Sequence, residues 1–176
     1  MLESERLRTE IAGLSLRNPT ILASGILGIS ADSMREVARA GAGAVTTKSV
    51  GLKPREGYAN PSVVQVECGL LNAIGLPSPG IRKFAQEIRD LSDLDVPLIV
   101  SVYGFSSEEY ANVARVAAES GADALELNLS CPHVKRTGVE IGQNPKAIKE
   151  IVKKVKAAVD RPVFAKLTPN VANIAE

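Results

Sequence analysis

The spacing of apolar positions changes several times along the chain, and each change marks a predicted element. Two short alternating stretches, Leu7–Ile11 and Leu14–Leu16, flank Gly13 and predict a small hairpin. Thr20–Ala23 is a short apolar run ending at Ser24-Gly25 and is predicted as the first buried strand. Met34, Val37 and Ala38 then share one face of a helix predicted over about Ala31–Ala40, which Gly41 stops. Ala44–Val50 reads as the next strand. The following thirty residues hold five glycines and four prolines, too irregular for one long element, and are read as a functional loop or disorder, with the functional loop favoured.

Helical spacing returns with Ile81, Phe84, Ala85, Ile88 and Leu91, and Asp95-Val96-Pro97 breaks it before a strand at Leu98–Val102. Ser106-Ser107-Glu108-Glu109 predicts a capping box, opening a helix whose apolar face is Tyr110, Val113, Ala114 and Ala117. Gly121 ends it, and Ala124–Leu129 is a strand. Asn144-Pro145 predicts an N-cap and first turn, with Ile148, Ile151, Val152, Val155 and Val159 as the stripe that follows. Val163–Leu167 is the fifth strand, and Pro169 to Glu176 reads as the start of another helix. Two helix-to-strand joints repeat Gly-Ala-x-Ala, at Gly41–Ala44 and Gly121–Ala124.

Strands separated by single helices run parallel, because the crossover returns the chain to the same end of the sheet. Two architectures remain, an open doubly wound sheet or a (β/α)₈ barrel. Five units fit into 176 residues and eight do not, so the pattern of units is expected to be interrupted, with both architectures still open.

Composition sharpens this picture. Hydrophobic residues make up 45% of the chain, yet it has only three Phe, three Tyr and no Trp, which suits aliphatic α/β layers. The net charge of +1 offers no basic stripe for nucleic acid and argues for a small-molecule partner. Two cysteines, Cys68 and Cys131, cannot build a disulfide framework, and neither has metal-ligand spacing around it. The first ten residues carry five charges instead of an apolar leader core, and no apolar run approaches ~20 residues. A cytoplasmic protein outside the membrane is the expectation.

Ligands of parallel α/β folds collect beyond the carboxyl ends of the strands. Those ends read Ser24-Gly25, Lys48-Ser49, Tyr103-Gly104, Asn128–Cys131 and Lys166. Lysines, a carboxamide, a thiol and small residues are expected on one rim, with no acidic side chain, which suits an anionic ligand. Lys48 and Lys166 are each either snorkelling cations, partners of an anion or electron-rich ring, or Schiff-base formers. Cys131 is either a small buried hydrophobe or a thiol base activated by nearby cations. His133 is the one histidine, so a cluster of histidines around a metal is excluded. Asn72–Leu76 and Gly80 lack the strand–helix context of a dinucleotide fingerprint, but would let a flat ligand approach closely.

Several segments together resemble the class I dihydroorotate dehydrogenases. They are Asn18-Pro19 with Ala23-Ser24-Gly25, Thr47-Lys48-Ser49, Asn72-Ala73-Ile74-Gly75-Leu76 with Pro79-Gly80, Asn128-Leu129-Ser130-Cys131-Pro132, and Lys166-Leu167-Thr168-Pro169-Asn170. They occur in family order with Cys at the base position, and the Asn-Ala-Ile-Gly-Leu form resembles the B-type enzymes. The resemblance implies a single domain over residues 1–176, the N-terminal part of an FMN-binding (β/α)₈ barrel. It implies oxidation of dihydroorotate to orotate in pyrimidine synthesis. Electrons would pass to NAD through a partner subunit with FAD and a 2Fe-2S cluster, around a catalytic homodimer in a heterotetramer.

Residue by residue, the same resemblance makes Cys131 the catalytic base. Substrate contacts fall to Lys48, Asn72, Ala73, Ile74, Gly75, Leu76 and Asn128, and FMN contacts to Ser24, Gly25, Lys48, Ser49, Asn128 and Lys166. Two positions depart from the pattern: His133 where the family often has Asn, and Ser101 where B-type members often have Asn. Rival readings are another FMN barrel acting on pyrimidines or dihydrouridine, a Schiff-base lyase using Lys166, and a non-catalytic fragment.

Overall fold

The computed structural model describes residues 6–131, 137 and 139–173. β1 (Thr9–Ile11) and β2 (Leu14–Leu16) pair antiparallel with Ile11 opposite Leu14, forming the expected hairpin. Its two-residue loop, Ala12-Gly13, has φ of 51° and 82°, the left-handed pair that matches the twist of the flanking strands. β3 (Ile21–Leu22) leads into a 3₁₀ turn (Ile26–Gly28), and α1 (Ala31–Arg39) follows. Then come β4 (Ala44–Thr46), β5 (Val63–Val66), β6 (Gly69–Asn72), α2 (Ile81–Asp90) and β7 (Leu98–Val102). The order continues with α3 (Ser107–Glu119), β8 (Ala124–Asn128), the short α4 (Val139–Gly142), α5 (Pro145–Ala158) and β9 (Val163–Lys166).

Local chemistry sets the helix ends. Ser106 Oγ accepts from Glu109 N–H at 3.2 Å, while the Glu109 carboxylate reaches back to Phe105 N–H at 2.8 Å. Asn144 Oδ1 accepts from the N–H groups of Lys146 and Ala147, with Pro145 in the first turn, where no N–H is needed. Gly41 and Gly121 have φ of 109° and 117°, and both close their helices with the same bond pair. Gly41 N–H donates to Ala38 and Ala42 N–H to Val37; Gly121 N–H donates to Ala118 and Ala122 N–H to Ala117. The repeated Gly-Ala-x-Ala joint is therefore one capping motif used twice.

The five strands β3, β4, β7, β8 and β9 form one parallel sheet in that order, with helices on its convex face. Opposed residues in a parallel pair share a face. Val45, Val100, Val102, Leu125 and Leu127 pack outward on Met34, Phe84, Ile88, Val113, Ala117, Ile151 and Val155. The concave face is layered. At the amino ends, Ala44, Ile99 and Ala124 form a second cluster with Leu16, and Leu14 and Phe164 pack against it, so the β1–β2 hairpin plugs that mouth. One step further along the strands the concave face turns polar: Ser101 stands opposite Glu126, and Asn128 opposite Lys166.

Three expectations change. Regular pairing of β4 stops at Thr46 because Thr47 Oγ1, not a backbone carbonyl, takes the Ser101 N–H at 3.0 Å; pairing resumes as an isolated Val50–Val102 bridge. The irregular stretch contains the antiparallel β5–β6 hairpin, with Val66 opposite Gly69 and Glu67-Cys68 at the turn. Neither strand alternates cleanly, and Val63, Val64, Leu70 and Leu71 are all exposed, so burial leaves no period-two signal there. Residues 169–173 are not helical.

Candidate active site

The strand ends converge on a cleft of about 370 Å³. Ser24 and Gly25 reach it from the end of β3, and Lys48 and Ser49 from the segment after β4. Asn128, Ser130 and Cys131 come from the end of β8, and Lys166 from the last position of β9. The remaining wall is Asn72, the last residue of β6, with Ile74, Gly75 and Leu76. Ala73, expected among the substrate contacts, is exposed, gives its N–H to the Ser62 carbonyl at 2.8 Å and does not line the cleft. Tyr103 and Gly104 lie behind the rim: Tyr103 is 2% exposed, and the Gly104 carbonyl accepts from Thr137 Oγ1 at 2.5 Å. His133 and Pro132 fall outside the described residues.

Packing holds each segment in place. Gly28 sits so close to the strand end that an added Cβ would stand 2.5 Å from Lys48 N, and its carbonyl accepts Lys48 N–H at 2.8 Å. That contact seats the Ser24–Gly28 turn beside Lys48. The strap at residues 74–76 is pinned by three carbonyls in a row: Tyr58 N–H bonds Ile74 (3.1 Å), Arg55 Nε bonds Gly75 (2.7 Å) and Tyr103 Oη bonds Leu76 (3.4 Å). Gly75 and Leu76 have φ of 80° and 53°, and a Cβ on Gly75 would meet the Tyr58 ring at 2.7 Å.

Tyr110, fully buried on α3, donates from its hydroxyl to the Asn128 carbonyl at 2.8 Å and so anchors the exit of β8, where Cys131 follows. Burial pushes its phenol pKa up to about 12, keeping the hydroxyl a donor at neutral pH.

A polar network floors the cleft. Lys166 Nζ donates to Glu126 Oε1 at 3.0 Å, and Ser101 Oγ donates to the same oxygen at 2.7 Å. Ser101 and Ser49 hydroxyls lie 2.9 Å apart, Ser49 and Ser24 3.2 Å apart, and Asn128 Nδ2 donates to Ser49 Oγ at 2.8 Å. Asn128 Oδ1 accepts from Ser130 N–H and lies 3.2 Å from Ser130 Oγ. The expectation of a rim without an acidic side chain is thus corrected: Glu126 stands under it, its side chain 14% exposed. The sequence signal was a carboxylate two residues before Asn128, on the same face of an otherwise apolar strand. Tyr110 was also missed as a contributor, because a helix aromatic reads first as core.

Lys48 differs from Lys166. Among the described residues none accepts a hydrogen bond from its ammonium, and burial pushes its pKa below the ordinary lysine value. The smaller, opposing influence on Lys48 comes from Cys131, which lines the same cleft and raises it. Among the described residues no group of three His, Cys, Asp or Glu is placed to hold a metal ion, and no helix is long and apolar enough to cross a membrane. A larger groove of about 970 Å³ runs between α5 and residues 167–173. Its lining mixes apolar Ile148, Val152, Leu167 and Val171 with Lys149, Lys153 and Asn170.

A parallel, curled half-barrel with its polar groups gathered at the strand ends has the architecture of the (β/α)₈ barrel enzymes. The model of the dihydroorotate dehydrogenase family matches residues 6–176, and the chain belongs to that family. It is 49% identical over 174 residues to the protein of Methanocaldococcus jannaschii named dihydroorotate dehydrogenase B (NAD(+)), catalytic subunit, covering 97% of this chain and 56% of that protein. The protein of the same name from Methanothermobacter thermautotrophicus is 51% identical over 171 residues, with the same coverage. The chain therefore spans a little over half the length of these curated relatives. Among solved structures, dihydroorotate dehydrogenase of Eimeria tenella in complex with ferulenol superposes with a TM-score of 0.84, covering 97% of this chain and 55% of that one. At 19% identity that likeness establishes the fold, a (β/α)₈ barrel of which five parallel strands are present here.

The residues present fit a flavin ring. Gly25 leaves one side of the cleft open to a flat group, since an added Cβ would meet only the Ala23 carbonyl, 4.0 Å away. Hydroxyl, amide and ammonium groups at the other side suit the nitrogen and carbonyl edge of such a ring, and the lysines suit its electron-rich reduced form.

Proposed function

We propose that this chain carries the cofactor- and substrate-binding rim of a B-type class I dihydroorotate dehydrogenase, oxidising dihydroorotate to orotate in de novo pyrimidine synthesis. On this reading residues 1–176 form one domain, the N-terminal part of the barrel, in a cytoplasmic enzyme. Electrons leave to NAD through a partner subunit with FAD and a 2Fe-2S cluster, in a heterotetramer built on a catalytic homodimer. The supporting observation is the convergence, in one cleft, of Cys131, Lys48, Asn128, Lys166, Asn72 and the Ile74–Leu76 strap from separate parts of the chain.

Bound FMN supplies the acceptor for the hydride that leaves C6 of the substrate. Cys131 Sγ removes the C5 proton, a role that needs the thiolate, and Lys48 is a cation lining the same cleft. Asn128 and the backbone of the strap pair with the amide edges of the substrate ring, and Asn72 adds its carboxamide. Ser24, Gly25, Ser49 and Lys166 hold the flavin, with Lys48 reaching both groups.

The test is Cys131→Ser in the full-length protein. Flavin content stays as in the native protein, and dihydroorotate oxidation at neutral pH falls by about 10²–10⁴, the usual worth of a positioned general base. A variant with an unchanged pH–rate profile removes Cys131 from that role. Turnover of uracil or tRNA dihydrouridine in preference to dihydroorotate overturns the substrate assignment.

A further inference from the structure

The polarity of the network under the cleft is decided by a single group. An ionised carboxylate only accepts hydrogen bonds, so both the Lys166 ammonium and the Ser101 hydroxyl must donate to Glu126 Oε1. With its proton committed, Ser101 Oγ accepts from Ser49, 2.9 Å away. Ser49, having donated, accepts from Asn128 Nδ2 at 2.8 Å, and its remaining lone pair faces the Ser24 hydroxyl at 3.2 Å. The chain of donors therefore runs one way, from Ser24 and Asn128 through Ser49 and Ser101 to Glu126. It also sets the Asn128 carboxamide, since Nδ2 is held by Ser49 and Oδ1 turns to the Ser130 N–H at 3.2 Å. Glu126 is the more shielded of the pair (side chain 14% exposed) while Lys166 is 38% exposed, so the half-buried carboxylate is the anchor and the lysine its partner at the rim.

We propose that Glu126 is a positioning residue for flavin and substrate: its carboxylate holds the Lys166 ammonium and orients the Ser101–Ser49–Asn128 hydrogen bonds. It acts through other residues and touches neither ligand. Its negative charge offsets the cation that faces the ring, which sets how strongly the pocket favours the electron-rich reduced flavin. This rests on the FMN-binding reading above.

The experiment uses the full-length protein loaded with FMN and reads the flavin midpoint potential by equilibration with reference dyes. Glu126→Gln keeps the side-chain size and removes the charge, leaving Lys166 without its counter-ion. A shift to a more positive potential is expected, with Glu126→Asp, which keeps the charge, closer to native. An unchanged or more negative potential in Glu126→Gln overturns the proposal. A second arm uses the apo-protein, so it does not depend on flavin. Thermal midpoints of Glu126→Gln, Lys166→Met and the double variant are expected to be non-additive, the second substitution costing less than it does alone. Additive losses overturn the pairing. A protein that binds no FMN refutes the functional reading instead, and the apo cycle still decides whether the pair exists.

Discussion

Replacing Tyr110 with Phe removes one oxygen and nothing else. The ring is 0% exposed, its hydroxyl donates to the Asn128 carbonyl at 2.8 Å, and no solvent is at hand to replace it. Leaving a buried carbonyl short of a donor costs about 1–2 kcal/mol. For a chain of this size each kcal/mol moves Tm by about 2–4 °C. Urea unfolding followed by circular dichroism reads this directly, with the loss in midpoint and no change in slope. There is a second signature. The phenol pKa is raised from 10.0 to about 12 in the folded state, so the folded protein holds that proton more tightly than the unfolded chain. Its contribution is complete below pH 10.0 and is lost as pH rises towards about 12, with a slope of up to about 1.4 kcal/mol per pH unit. The native protein is expected to lose its advantage over Tyr110→Phe across that window, and the gap between them to stay constant from pH 6 to about 9. Equal stability at neutral pH, or a gap that widens above pH 10, refutes the assignment of Tyr110 as the anchor of the β8 exit.

Two further outcomes follow from backbone positions. Gly28→Ala places a methyl 2.5 Å from Lys48 N and 2.6 Å from the Thr46 carbonyl, so the 3₁₀ turn must lift. A loss of about 1–3 kcal/mol is expected, as in overpacked cores, together with weakened flavin binding; full stability and full flavin content would show that the turn does not seat Lys48. Ser106→Ala deletes the cap that accepts Glu109 N–H and is expected to cost about 1 kcal/mol in chemical denaturation, with flavin content unchanged. A loss of flavin in that variant would mean that α3 communicates with the cleft through more than Tyr110.

Much of the fold was legible because its signals are short-range. The Ser106 and Asn144 caps, the glycine stops at Gly41 and Gly121, and the apolar stripes of α1, α2, α3 and α5 are each contained within a few residues of one another. They place the strand ends, and with them Ser24, Lys48, Asn128, Cys131 and Lys166. The β5–β6 hairpin escaped because its side chains are mostly exposed and its turn, Glu67-Cys68, lacks the Asn-Gly or Asp-Gly chemistry that announces a tight hairpin.

By itself the sequence determined which residues stand at the ends of parallel strands, since element order and periodicity depend on neighbours along the chain. Only the tertiary structure decided what those residues do to one another. Whether Lys166 meets Glu126, forty positions away, depends on the register of β8 against β9, and Glu126 reaches Ser101 through the register of β7 against β8. Those registers come from how the two apolar layers pack on either side of the sheet, and a one-residue slip would turn Glu126 from the cleft into the helix layer. The rim of cations was therefore readable in advance, and the pairing of one of them with Glu126 was not.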